Sequence, residues 1–266
     1  MSIPEPTGAG GSSLLQLGER PACDVLNAGG RGTAVVVCDH ASNTIPRSLG
    51  TLGLGPDDLV SHIAWDPGAA EVARRLAVIL DAPLVLSGYS RLVVDCNRPL
   101  ASGESMPTES GGVAVPGNRD LSAAARAARI GDVFEPYHRA IAEVLDLRTA
   151  ARRPSVLLSV HSFTPILRGD RRPWNIGVSG RSREGLAALL VDRLSATARE
   201  LTVGHNQPYA IEDDSDYTIP VHGERRGLPN ALIEIRQDGL TTPEDWSRWA
   251  ELLATAYRQS ETLLPR

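Results

Sequence analysis

The chain has 266 residues, a formal net charge of −5 at pH 7 and 42% hydrophobic residues, so it can bury a substantial core in one large domain or two small ones. All 27 basic residues are arginines, and the lack of lysine excludes Schiff-base and pyridoxal phosphate chemistry. The acidic balance, without a basic stripe and interleaved aromatic residues, argues against nucleic acid as a partner.

The sequence shows no sign of a membrane or export segment. It contains no run of about 18 apolar residues, so no membrane partner is expected. Its start lacks the basic and apolar regions of a secretory signal. Cys23, Cys38 and Cys96 form no CxxC pair, which is typical of a reducing compartment. We therefore predict a cytoplasmic protein with an N-terminal arm over residues 1–26 and one α/β domain over residues 27–266.

The predicted elements alternate between strands and helices. The β-branched run Val35–Val37 is a strand that ends at Asp39 and His40, and a helix is predicted to begin at Asp66 and Pro67. The elements predicted downstream are strands at Pro83–Leu86 and Ser90–Asp95, a helix capped by Ser122, strands at Ser155–Val160 and Trp174–Val178, a helix at Glu184–Ala198, a strand at Ala231–Arg236 and a helix opened by Thr242 and Pro243. This order predicts a three-layer α/β/α sandwich around a mixed, largely parallel sheet.

The polar, glycine-rich stretch from Cys96 to Asp120 interrupts this alternation. It is long for a connection without regular structure, and such connections are usually functional or disordered. We predict that it folds over the functional site.

Three residues at or near strand ends suggest a metal-dependent hydrolase. His40 and His161 each follow an apolar strand, and Glu234 lies inside a third. A carboxylate in an apolar strand is costly unless it is paired or bound to a metal. Two imidazoles that hold zinc, and a carboxylate that takes a proton from water, are the groups that such an enzyme needs.

Other hydrolase and nucleotide motifs are absent. The segment Gly177–Arg181 lacks the last glycine of a G-x-S-x-G nucleophile elbow. The cysteines show no protease signature, and the chain has neither a P-loop nor a G-x-G-x-x-G motif.

Seven segments resemble the N-formylglutamate amidohydrolase family, in family order over most of the chain. They are DHASNTIP (Asp39–Pro46), AWDPGA (Ala64–Ala69), SRLVVDCNRP (Ser90–Pro99), HS (His161–Ser162), WNIGVSG (Trp174–Gly180), YTIPVHG (Tyr217–Gly223) and IEIRQD (Ile233–Asp238). The resemblance implies a zinc-exopeptidase-like fold and one zinc or other divalent metal per chain. It also implies hydrolysis of N-formyl-L-glutamate to formate and L-glutamate, a step of histidine degradation.

The resemblance implies roles for individual residues. His40 and His161 match the two histidine ligands and Glu234 the base, whereas Asn43 stands where the family of exopeptidases has an acidic ligand. A neutral amide is a poor zinc ligand beside a carboxylate. Asp66 is the alternative third ligand, with a helix N-cap as its competing interpretation.

Acidic and hydroxyl groups are expected to support these ligands. Asp39 is expected to orient His40. Asp95 and Ser162 are expected to support the metal ligands in the same way.

A small dicarboxylate-type N-acyl amino acid needs cationic partners, and guanidinium grips carboxylates in a bidentate way. The candidate substrate-binding residues are Arg91, Arg98, Arg119, Asn97, Asn175 and His222. Arg91 and Asp95 can equally form a structural ion pair, and His62, His138 and His205 are interpreted as surface or packing residues.

Two rival functions remain open from the sequence. One is a deacylase or carboxypeptidase that acts on another N-acyl amino acid. The other is a non-catalytic protein that binds a small acid and has lost the metal through Asn43.

Overall fold

The structure is a computed structural model and describes residues 13–182 and 184–264. Its strands are β1 (Cys23–Leu26), β2 (Ala34–Cys38), β3 (Leu84–Ser87), β4 (Glu109–Ser110), β5 (Val113–Ala114), β6 (Val156–Phe163), β7 (Ile166–Leu167), β8 (Asp170–Arg171), β9 (Ile176–Ser179), β10 (Val203–His205) and β11 (Asn230–Arg236). Its helices are α1 (Pro56–Val60), α2 (Ala69–Ile79), α3 (Ala123–Arg129), α4 (Glu135–Ala150), α5 (Leu186–Thr197) and α6 (Pro243–Glu261).

The central sheet has seven strands in the order β1-β3-β2-β6-β11-β9-β10. The neighbours β3, β2, β6 and β11 run parallel, while β1 is antiparallel to β3 and β9 is antiparallel to β11. The predicted mixed, largely parallel sheet is therefore confirmed. Two short ribbons, β4–β5 and β7–β8, lie outside it.

Helices cover both faces of the sheet, as the three-layer prediction requires. Alternate side chains of β2 point to opposite faces, so Val36 belongs to the apolar cluster that includes α2, α5 and α6, while Val35 and Val37 belong to the cluster that includes α4. Because both faces are covered, the central strands are buried along their whole length.

The predicted strand Ser90–Asp95 is wrong, because this segment forms tight turns. The Ser90 hydroxyl accepts a hydrogen bond from the Leu92 amide and donates one to the Ala64 carbonyl. Such local bonds offer the backbone an alternative to a strand ladder. The apolar residues Leu92–Val94 instead enter a separate apolar cluster beyond the sheet.

The Cys96–Asp120 stretch packs into that cluster. Met106 and Val115 are buried there, and Asn118 donates to the carbonyls of Leu92 and Pro107. Arg129 holds Asn118 in turn. This part of the chain therefore has its own core, and only its first residues reach the site described below.

The predicted arm contributes to the sheet. Residues 1–12 lie outside the described residues, but Cys23–Leu26 forms the antiparallel edge strand. The division of the chain at residue 26 stays a prediction. In the part of the chain that the structure describes, no helix has both the length and the apolar character to cross a membrane.

Candidate active site

Polar side chains lie at or near the carboxyl-terminal ends of three neighbouring strands of the sheet. Asp39 and His40 follow β2 directly, His161 lies near the end of β6, and Glu234 lies on β11. The parallel register pairs Glu234 with His161. Since side chains alternate along neighbouring strands in step, these two project from the same face.

Asp66 reaches the same point from the loop before α2. Its amide donates to the His40 carbonyl, and its Oδ2 lies 3.3 Å from His40 Nδ1 and 2.9 Å from His161 Nδ1. The predicted helix start at Asp66 is wrong, because α2 begins at Ala69 after Gly68, which has a left-handed φ of 80°. The carboxylate therefore faces the two histidines rather than capping the helix.

His40, Asp66 and His161 form a buried group with the atoms that a metal ion needs. One ligand atom from each lies within 4.8 Å of the others, and the two Nδ1 atoms are 3.2 Å apart. When both Nε2 atoms carry hydrogen, the two Nδ1 lone pairs and the carboxylate face one another, and only a cation or a proton relieves their repulsion. The donor set therefore fits a divalent ion such as zinc.

A carboxylate holds the outer nitrogen of each histidine. Asp95 Oδ1 lies 2.7 Å from His40 Nε2, and Asp39 Oδ2 lies 3.0 Å from His161 Nε2. The sequence suggested that Asp39 orients His40, but its carboxylate instead contacts His161. Such carboxylates fix the ring orientation and the tautomer of a metal-binding histidine. With their help both rings turn Nδ1 toward Asp66.

The Asp39 carboxylate is itself held by hydroxyl groups. It accepts hydrogen bonds from Tyr137 and Ser159 at 2.9 Å each, and from Thr218. Burial alone would raise the pKa of Asp39, but its contacts with His161 and these donors hold the pKa well below the ordinary range. The group therefore stays charged beside His161.

Arg91 forms the ion pair that the sequence left as an alternative to substrate binding. Its Nε and Nη2 donate to Asp95 Oδ2 at 3.1 and 2.8 Å, and its Nη1 lies 3.5 Å from Asp66 Oδ1. Burial opposes ionisation of Asp95, but Arg91 and His40 outweigh it and lower its pKa. Arg91 therefore balances charge behind the histidines.

Glu234 is buried, with 7% of its surface exposed, beside the three facing groups. Its Oε2 has no hydrogen-bond partner among residues 13–182 and 184–264. Burial raises the pKa of Glu234 to about 7, an effect that the positive field of His161 opposes. A carboxyl group in this condition can accept and return a proton near neutral pH.

These groups open into a cavity of about 400 Å³. Of the other residues singled out in the sequence, Arg91, Asn97, Arg98 and Ser162 line it. Asn97 Oδ1 accepts from two backbone amides, Arg98 pairs with Glu104, and Ser162 donates to the Pro67 carbonyl.

The remaining candidates lie away from the cavity. Asn43 donates to the Leu59 carbonyl, and Asn175 accepts from the Thr202 amide. Arg119 is exposed, and His222 stacks on buried His138 with their nitrogens 3.0 Å apart. Asn43 is therefore not in position to supply the third ligand atom.

Several cavity residues were given no role at the site from the sequence. His62, interpreted there as a surface or packing residue, lines the cavity with Tyr209 and Gln237, and Arg172 contacts Tyr209 behind it. They come from loops and carry no periodic pattern, so only the fold brings them to the site.

Comparison with known proteins confirms the resemblance seen in the motifs. The N-formylglutamate amidohydrolase family profile matches residues 32–241, more than half of the chain. The solved structure of the gene product Atu2144 from Agrobacterium tumefaciens is 39% identical, with a TM-score of 0.90 over 94% of this chain and 98% of that chain. N-formylglutamate amidohydrolase from Ralstonia eutropha JMP134 is 19% identical, with a TM-score of 0.71 over 91% of this chain and 98% of that chain, a likeness of fold. A search of curated proteins found no match.

Proposed function

The chain belongs to the N-formylglutamate amidohydrolase family, and from this premise we propose that it is a metal-dependent amidohydrolase that converts N-formyl-L-glutamate and water into formate and L-glutamate. The observation that carries the proposal is the convergence of His40 Nδ1, Asp66 Oδ2 and His161 Nδ1 beside the unpartnered carboxyl oxygen of Glu234. His40, Asp66 and His161 would hold the metal, with zinc as the expected ion.

The bound metal would polarise the formyl carbonyl and make water more acidic. Glu234 takes a proton from the attacking water as the new C–O bond forms. It then delivers that proton to the nitrogen as the C–N bond breaks, which releases the amino group of glutamate. Asp95 and Asp39 keep the two imidazoles oriented throughout.

The first test is the metal content of protein purified without chelator. We expect about one zinc per chain in the wild type, and its loss in His40→Ala, Asp66→Ala and His161→Ala. The exposed His205 provides the control His205→Ala, which should keep the metal. A wild-type protein that stays metal-free in zinc-replete buffer would refute the mechanism and favour a non-catalytic acid-binding protein.

A Glu234→Gln variant separates the base from the metal site. The amide keeps the shape of the side chain but accepts no proton, so zinc content should be unchanged while kcat falls about 10²- to 10⁴-fold. Single-turnover and steady-state rates on N-formyl-L-glutamate measure this directly. Near-normal turnover would remove Glu234 from its assigned role.

The acyl group is tested with a substrate panel. The value of kcat/KM is measured for N-formyl-, N-acetyl- and N-succinyl-L-glutamate and for a dipeptide. The highest value for the formyl compound supports the proposal. A higher value for another member would identify a deacylase or carboxypeptidase of a different substrate.

A further inference from the structure

Two of the guanidinium groups at the cavity already have carboxylate partners. Arg91 is bound to Asp95 through two nitrogens, and Arg98 is bound to Glu104 at 3.0 Å. A substrate carboxylate at either position would compete with an existing ion pair. Neither arginine is therefore the best partner for it.

Arg172 is the guanidinium near the cavity that lacks an acidic partner among residues 13–182 and 184–264. It follows β8 and has only 8% of its surface exposed. Its guanidinium carbon lies 4.9 Å from the ring centre of Tyr209 and 5.5 Å from that of Phe163, and both rings line the cavity. Cation–π contacts offset part of the cost of removing this charge from water, and a carboxylate would offset more.

Tyr209 connects Arg172 to the cavity. Arg172 Nη1 donates to the Tyr209 hydroxyl at 2.7 Å, so the hydroxyl oxygen is the acceptor and its own hydrogen is free to point elsewhere. Tyr209 is 42% exposed and has no other side-chain hydrogen-bond partner in the described chain. A donor polarised by an adjacent guanidinium is well suited to a carboxylate oxygen.

Tyr209 lines the same cavity as His40, His161 and Glu234. Burial raises the pKa of Tyr209, the charge of Glu234 raises it further, and Arg172 opposes both. On another wall of the cavity, the pKa of His62 is lowered by burial and then by Arg91 and Arg172. The positive field of Arg172 thus reaches the space that a substrate occupies.

We propose that the Tyr209 hydroxyl, held and polarised by Arg172 behind it, recognises the substrate carboxylate, and that Arg91 supports the histidines instead. The inference rests on the proposed function, since the ligand is the free carboxylate of an N-acyl amino acid whose acyl group lies at Glu234. If this site holds the carboxylate, amides of the same N-acyl amino acids should bind poorly.

Kinetics on a matched pair of substrates tests this specificity. The pair is N-formyl-L-glutamate and N-formyl-L-glutamine amide, which has no carboxylate. Arg172→Gln should raise KM for the acid about 10- to 100-fold, with kcat within about threefold and little change for the amide. The control Arg171→Gln removes the same charge from the preceding, exposed residue and should leave both substrates unchanged.

Binding of glutarate, measured by calorimetry on metal-loaded protein, gives a readout without turnover. We expect wild type and Arg171→Gln to bind it, and Arg172→Gln to lose most of the affinity. If wild type does not hydrolyse N-formyl-L-glutamate but binds glutarate, and Arg172→Gln loses that affinity, the proposed function fails and the carboxylate site stands. Equal losses for the acid and the amide in Arg172→Gln, or no glutarate binding by wild type, would overturn the carboxylate site.

The variant Tyr209→Phe keeps the test valid if Arg172→Gln does not fold. The tyrosine lies at the exposed rim of the cavity, so loss of its hydroxyl should not disturb packing. KM for the acid should rise about tenfold, since one hydrogen bond to a charged group is lost, and KM for the amide should not. An unchanged KM for the acid would contradict the proposal.

Discussion

The chemistry of the candidate site depends on which nitrogen each histidine turns toward its centre. His40 and His161 both present Nδ1 to Asp66, because Asp95 and Asp39 hold their Nε2 atoms. The strand-end position of each histidine was visible in the sequence. The pairing of each with its carboxylate was not, since Asp95 follows a turn that the sequence pattern presented as a strand.

An Asp95→Asn variant tests the orienting role. The amide can donate to His40 Nε2 and so favour the tautomer with hydrogen on Nδ1, which cannot bind a metal. We expect zinc affinity to fall about 10- to 100-fold, as measured by competition with a chelator of known affinity. The control is Asp213→Asn, which removes an exposed carboxylate that pairs with Arg181. Equal affinity in Asp95→Asn and wild type would contradict the role of Asp95.

At the scale of elements, the turn from Asp66 to Gly68 decides where α2 begins. An Asp-Pro pair is a helix-start signal, yet Gly68 adopts φ +80° and delays the helix to Ala69. Glycine takes this conformation without strain, so the signal in the sequence was misleading by two residues. The helix start predicted at Thr242 is correct, because the Thr242 hydroxyl accepts a hydrogen bond from the Asp245 amide and no glycine lies between Thr242 and the first turn of α6.

A Gly68→Ala variant should be unusually destabilising. The new methyl group would lie 2.6 Å from Leu240 Cβ, and the left-handed conformation disfavours it as well. We expect a loss of about 3 kcal/mol in the free energy of unfolding, from strain and overpacking together. Denaturant titration measures the loss.

The matched control is Gly227→Ala. Gly227 is also left-handed, with φ 66° and ψ 23°, but a methyl group there would meet no atom within 4 Å, so only the strain of about 1 kcal/mol should appear. Equal losses in the two variants would mean that the contact with Leu240 does not matter.

The whole molecule contains two buried histidines outside the candidate site whose charge opposes folding. His138 hydrogen-bonds the Cys96 carbonyl through Nε2 and contacts His222 through Nδ1. Burial lowers the pKa of His138 to about 4 and that of His222 to about 3. Both are therefore neutral in the folded protein near neutral pH.

The contribution of these two histidines to stability should consequently fall as the pH falls. In the unfolded chain each histidine binds a proton below about pH 6.5, whereas the folded chain does not until about pH 4 or below. Between these limits the free energy of unfolding should decrease by up to about 1.4 kcal/mol per pH unit for each histidine. Above pH 7 the two contribute no slope.

Denaturant titrations between about pH 7.5 and about pH 4.5 measure this slope. This range brackets the ordinary histidine pKa of about 6.5. His222→Gln should reduce this slope by up to about 1.4 kcal/mol per pH unit, which corresponds to one proton. The control His205→Gln, at an exposed residue, should leave the slope unchanged. A slope in His222→Gln equal to that of wild type would show that His222 has the same pKa in the folded and the unfolded chain.

The sequence predicted the layers and the largely parallel sheet because strand runs such as Val35–Val37 carry a strong local pattern. It did not predict the cavity wall, because residues such as Tyr209 and Arg172 meet only through long-range folding. The prediction that the Cys96–Asp120 stretch folds over the site was wrong for a related reason. Its core depends on contacts with Leu92 and Arg129, which no local periodicity encodes.

The position of β11 has a consequence for synthesis of the chain. It is the last strand along the described residues, yet it lies between β6 and β9 in the sheet. A chain growing on the ribosome therefore carries His40, Asp66 and His161 while the edge of β6 is still open to pairing with other chains. Glu234 arrives on the strand that closes this edge. The growing chain thus acquires the proposed base and loses its exposed edge in the same event.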